Sequence, residues 1–251
     1  MSYVGERLSS ENGVVFCTQL KDKEYVYLNA AELGEFDVVK SLLEDEEVNP
    51  DCVDYMGRNA LLLAMKTDSL ELIDLLIEKL SFFIVEDALL NAISGERVHM
   101  VKMIVDHPQY IRKEKTCAVL RAKGTGASAI AARKRKDRSQ FSADITPIML
   151  AAHINNHEII QMLLDRGHVL EMPHDRACQC ERCETQRDED SLMLEVQRLH
   201  TYQALASSAY LSLTTSDPVQ TAYLLRNELY TLAQQEKQFK VSARSLADRG
   251  R

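Results

Sequence analysis

One small residue recurs in a fixed register along the first two-thirds of the chain, and each recurrence opens the same pattern. Tyr27-Leu28-Asn29-Ala30-Ala31 is followed by Val38, Val39, Leu42 and Leu43. Asn59-Ala60-Leu61-Leu62-Leu63-Ala64 is followed by Leu72, Ile73, Leu75 and Leu76. Ala88-Leu89-Leu90-Asn91-Ala92 is followed by Val101, Ile104 and Val105. Pro147-Ile148-Met149-Leu150-Ala151-Ala152 is followed by Ile159, Ile160, Leu163 and Leu164. Ala30, Ala64, Ala92 and Ala151 are separated by 34, 28 and 59 residues. Units of this kind cannot bury their apolar face alone, so they stack. The chain is therefore expected to be an all-α solenoid of about four repeats.

A unit of about 33 residues with Thr-Pro-Leu-His-x-Ala at its first helix is the ankyrin repeat. Thr146-Pro147-Ile148-Met149-Leu150-Ala151 keeps that pattern except at the His, and Asp54-x-x-Gly57-x-Asn59-Ala60-Leu61 supplies the preceding turn. Proline is tolerated in a first helical turn. The array is expected over residues 23–170, after an N-terminal tail at 1–22. The long third interval holds a basic insertion at 112–140, with ten Lys or Arg against Glu114 and Asp137. Its Gly/Ala/Ser-rich middle predicts disorder. Arg133-Lys134-Arg135-Lys136 fits a nuclear-import or phosphoinositide patch, or simply a solvated loop.

Past the fourth repeat, His174, Cys178, Cys180 and Cys183 fall within ten residues, spaced H-x3-C-x-C-x2-C. No secretory signal precedes them, so a metal site is expected before a disulfide framework. One imidazole and three thiolates fill the tetrahedral shell that structural zinc prefers, and leave no position for a catalytic water. His168 and His200 are alternative fourth donors, and reactive, metal-free cysteines are the competing reading. The segment, 171–187, is placed to cover the apolar end of the stack and to set the angle between the repeats and the C-terminal helices.

Two helices are expected over 188–240. The spacing of Leu192, Val196, Leu199, Tyr202, Ala206, Tyr210 and Leu213 predicts one helix across 192–213. Ser216-Asp217-Pro218-Val219-Gln220 restarts a second, with Asp217 as cap and Pro218 in the first turn. No Gly-rich phosphate loop follows a strand, and neither G-x-S-x-G nor H-E-x-x-H occurs, so a binding rather than an enzymatic role is expected. A net charge of −8 disfavours nucleic acid as the main partner. The longest apolar run is six residues, Ala60-Leu61-Leu62-Leu63-Ala64-Met65, far below the ~18 of a membrane helix.

Several of these stretches resemble one family. Leu163-Leu164-Asp165-Arg166-Gly167, Met172-Pro173-His174-Asp175 and Cys178-x-Cys180-x-x-Cys183 are similar to the cytosolic N-terminal region of C-subfamily transient receptor potential cation channels, especially the invertebrate TRP and TRP-like proteins. So are Asp144-Ile145-Thr146-Pro147, Tyr202-Gln203-Ala204-Leu205-Ala206-Ser207-Ser208 and Ser216-Asp217-Pro218-Val219-Gln220-Thr221-Ala222. The resemblance covers roughly residues 20–240. It implies a tetrameric, calcium-permeable, non-selective cation channel opened downstream of receptor-coupled phospholipase C. Other channel subunits, in homo- or heterotetramers, and regulatory proteins would be the partners. Zn2+ on His174, Cys178, Cys180 and Cys183 is also implied. Two features depart from the family: the basic insertion and the tail at 241–251. With no pore, the chain is expected to be a fragment or truncated form, cytoplasmic by itself, reaching the plasma membrane only through the missing part of a parent channel. A soluble ankyrin adaptor that binds a protein partner is the alternative.

Overall fold

The computed structural model describes residues 20–122, 139–142, 144–175, 178–235 and 239. The four expected repeats are four helix pairs. These are α1 (Asp22–Leu33) with α2 (Phe36–Leu43), α3 (Ala60–Ala64) with α4 (Leu70–Lys79), α5 (Phe82–Ser94) with α6 (Val98–Asp106), and α8 (Pro147–Ile154) with α9 (His157–Asp165). Between the third and fourth pairs lies an additional helix, α7 (Pro108–Ala122). The linker region adds α10 (Glu181–Leu205), α11 (Ser208–Thr214) and α12 (Pro218–Gln235). Among the described residues the only β pairing is an isolated antiparallel bridge, Val53 to Asn59, across the turn at 54–57. None of the helices described is long and apolar enough to cross a membrane.

The inner helices form one row in which α1 packs on α3, α3 on α5 and α5 on α8. The alanines of the register make this approach possible: Ala30, Ala64, Ala92 and Ala151 are buried, as are Ala31 and Ala88 beside them on the inner helices. Leu72, Ile73, Leu76 and Ile77 of α4, Val101 and Ile104 of α6, and Ile159, Ile160 and Leu163 of α9 fill the space between the rows. Helix starts follow local chemistry. The Asn59 side chain accepts the Leu62 N–H (2.8 Å), and Thr146 accepts from Met149 (3.3 Å) ahead of Pro147.

A second register accompanies the first. Gly34, Asp68, Glu96 and Asn155 all have positive φ (77°, 52°, 52° and 63°), each two residues before its outer helix begins. Their separations equal those of the alanines. At Gly34 a Cβ would lie 3.3 Å from the Thr67 hydroxyl, so glycine suits both the backbone and the space. Successive turns are tied together: Lys66 to Glu32 (2.8 Å), Arg97 to the Met65 carbonyl (3.3 Å), and the Asn156 amide to Glu96 (3.0 Å).

Three expectations are corrected. Residues 112–122, assigned by composition to a disordered insertion at 112–140, are the last eleven residues of α7; residues 123–138 of that insertion lie outside the described residues. Lys113 holds α7 in place by donating to the Ile77, Glu78 and Leu80 carbonyls at the end of α4 (3.0, 3.0 and 2.7 Å). Burial lowers its pKa. The single helix expected over 192–213 is two, because Ser207 leaves the helical backbone and caps α11 by accepting from Tyr210 (3.3 Å). The cysteine segment does not close the stack alone: α10 packs on α8 and α11 on α9, continuing both rows. Asp217 caps α12 as expected, accepting from Gln220 (2.9 Å).

If the inner row depends on alanine-sized contacts, Ala151→Leu overpacks it. The expected outcome is a loss of about 1–3 kcal/mol in urea unfolding monitored by circular dichroism.

Candidate metal centre

The four sequence-predicted donors come together. His174 Nδ1 lies 3.4 Å from Cys178 Sγ and 3.3 Å from the sulfurs of Cys180 and Cys183. All four donor atoms lie within 4.8 Å of one another. A zinc tetrahedron with Zn–S of about 2.3 Å and Zn–N of about 2.0 Å has edges of about 3.6 Å. The observed His–Cys separations are within a few tenths of an ångström of that, so the donor set and its spacing both fit a metal of this size. The alternative histidines are engaged elsewhere. His168 faces Glu114 (3.5 Å), and His200 Nδ1 meets Asp144 (2.5 Å).

Local structure explains the convergence. Cys180 stands at the N-cap of α10 and Cys183 one turn inside it, so a two-residue spacer brings both sulfurs to the same helix end. The Cys178 N–H donates to the Asp175 carbonyl (3.0 Å), folding the loop back towards the helix. Arg187, one turn further on, donates to the carbonyls of Cys183 (3.3 Å) and Cys178 and so ties the two ends of the ligand loop. Nothing in the cysteine spacing marks Arg187; its place four residues after Cys183 is the sole signal in the sequence. His174 is exposed, Cys178 and Cys180 half-buried and Cys183 buried.

The two cysteines nearest the helix differ electrostatically. The Cys183 backbone N–H, followed by the neighbouring thiols and His174, holds the Cys180 thiol down at about 6. Burial, followed by the same neighbouring sulfurs, pushes Cys183 up to about 11. Beyond Arg187, Asp190 leaves the helical backbone (φ −160°, ψ 91°). Its carboxylate accepts from the Met193 N–H (2.9 Å), capping the remainder of α10. The turns that carry the four donors thus form a lobe set off from the body of α10.

The junction beyond this lobe gives Asp144, His153, His200 and Tyr210 roles that the sequence did not assign them. Burial would raise the Asp144 carboxyl, but hydrogen bonds from His200 and Ser142 outweigh it and hold it below its ordinary value. His153 Nε2 lies 2.9 Å from the His200 carbonyl, and the Tyr210 hydroxyl accepts from the Leu170 N–H (3.0 Å).

The comparisons with known proteins divide the chain at the same seam. The pattern described as ankyrin repeats (3 copies) matches residues 28–117, and a further ankyrin repeat matches 144–172. The family described as Transient receptor ion channel II matches residues 178–240, from the second donor through α12. Human short transient receptor potential channel 3 is 41% identical over 92% of this chain, which corresponds to 25% of the human protein. Over nine-tenths of its own length the chain is similar to the short transient receptor potential channels. Mouse short transient receptor potential channel 4 is 40% identical over 89% of the chain and 22% of its own length. The transient-receptor-potential-like protein of Caenorhabditis elegans is 34% identical over 91% of the chain and 22% of its own length. The chain therefore spans about a quarter of the length of these short channel relatives.

With metal removed, Cys180 should be alkylated by iodoacetamide at pH 7.5 well ahead of Cys183. The first thiol is ionised above about pH 6 and the second only near 11. Peptide mapping by mass spectrometry reads the order, and equal rates or Cys183 first would count against this geometry.

Proposed function

We propose that this chain is the cytosolic ankyrin and linker-helix region through which a calcium-permeable, receptor-operated cation channel assembles and is regulated, at the cytoplasmic face of the plasma membrane. The observation that carries the reading is the order of ankyrin repeats, four-donor lobe and linker helices in a chain about 40% identical to short transient receptor potential channels over nine-tenths of its length. Within it, residues 23–170 form the repeat array, 171–187 the metal segment and 188–240 the linker helices.

His174, Cys178, Cys180 and Cys183 hold a structural Zn2+ in this reading. When bound, the ion supplies cross-linking of the loop to the start of α10. Four protein donors fill its shell, so the role is binding and not catalysis. Other channel subunits, of the same or a related kind, are the partners. The outer face of α12 supports this, because Val219, Tyr223 and Tyr230 lie exposed at i, i+4 and i+11, and tyrosine is enriched at protein interfaces.

Co-expression of the tagged chain with full-length human short transient receptor potential channel 3 tests the reading. Co-purification in detergent and altered receptor-evoked current are expected. Folded chain recovered without channel subunits would contradict subunit assembly and favour an adaptor for another protein.

A further inference from the structure

We propose that Asn155, at the turn of the fourth repeat, is the latch that fixes the linker helices to the repeat stack, and that it acts independently of the metal-bearing lobe. The inference concerns positioning and holds whatever the identity of the channel.

Asn155 ends α8 with φ 63°, a left-handed backbone that asparagine tolerates better than most residues. That conformation places its side-chain Oδ1 against the first turn of α11. The oxygen accepts three donors from there: the Ser207 hydroxyl (2.8 Å), the Ser208 hydroxyl (3.1 Å) and the Ala209 N–H (2.9 Å). The first N–H groups of a helix have no partner within the helix. Ser207 covers the Tyr210 amide from within the linker, while the Ala209 amide is covered from the repeat array. Asn155 is therefore an N-cap supplied in trans, from one structural unit to the next.

Register explains why this residue stands there. Gly34, Asp68, Glu96 and Asn155 occupy equivalent turns, and each turn from the second onward is tied to the one before it. The step from α10 to α11 is another short turn, and its tie is the Asn155 set. The linker pair α10–α11 thus sits where a fifth repeat would, using the same kind of turn-to-turn contact. Ser207 is almost fully buried, whereas the Ser208 hydroxyl lies at the exposed edge of the contact. The metal donors are on the far side of the break at Asp190, and their geometry does not enter this contact.

Amide hydrogen exchange on the full chain tests the latch. Asn155→Gly keeps the left-handed turn and removes the acceptor, so exchange at 209–211 should quicken about five- to tenfold, as for loss of a helix cap. Amides at 88–92 in α5 should hold their rates. Asn155→Asp retains an oxygen acceptor and should restore protection. Cys180→Ser should leave 209–211 unchanged. The latch is overturned if Asn155→Gly leaves 209–211 unchanged, if the rise spreads equally into α5, or if Asn155→Asp behaves like the glycine variant. A comparable rise in Cys180→Ser overturns independence from the metal lobe. Should the glycine variant fail to fold, Ser208→Ala removes one exposed donor: about twofold faster exchange at Ala209 is expected, and an unchanged rate overturns the proposal.

Discussion

Close approach of neighbouring inner helices governs how this chain is built. Each helix lies against the next at alanine, with Ala31, Ala64, Ala88, Ala92 and Ala151 completely buried. A larger side chain there would push the rows apart and open the space filled by the leucines and isoleucines of α4, α6 and α9. Because the contact is local and repeated, the stack grows by addition, and its last unit needs a cover. Here α10 and α11 provide it, the first against α8 and the second against α9. The linker helices are the end of the solenoid as much as a connection away from it.

The seam between repeats and linker carries two separable devices. One is the four-donor lobe, drawn together by the turn into α10 and tied by Arg187. The other is the polar junction of Asn155 with α11, of Asp144 with His200 and of the Leu170 amide with Tyr210. In the bare sequence the cysteine cluster reads as the element that sets the angle between the two parts. The break at Asp190 assigns it a more local task, and the turn of the fourth repeat makes the direct contacts. For a module proposed to relay subunit contacts, such a junction couples repeats and linker into one body.

Much of the repeat array is legible in the sequence because its signals are local: buried alanines at fixed intervals, a Thr-Pro start, and apolar pairs four residues apart. The four donors are legible because their spacing is short and zinc chemistry restricts the residue types. Other features depend on contacts distant in sequence. The left-handed turns are held by Gly, Asp, Glu and Asn in turn, so no single residue type marks them. Helix α7 starts beside a stretch whose composition reads as solvated, and Lys113 secures it through carbonyls 33 to 36 residues away. The break between α10 and α11 falls in a small-residue run that reads equally well as continuous helix. Only the partner side chain at Asn155, about 50 residues earlier, shows why the chain turns there.

The lobe's chemistry is open to the most direct measurement. Protein purified from zinc-replete cells, with its zinc content determined and its zinc K-edge absorption recorded, should hold one ion per chain, in a shell of three sulfurs and one nitrogen with no exchangeable oxygen. Less than about half an ion per chain, or a shell in which water or carboxylate oxygen replaces one of the four donors, would contradict a closed structural clamp.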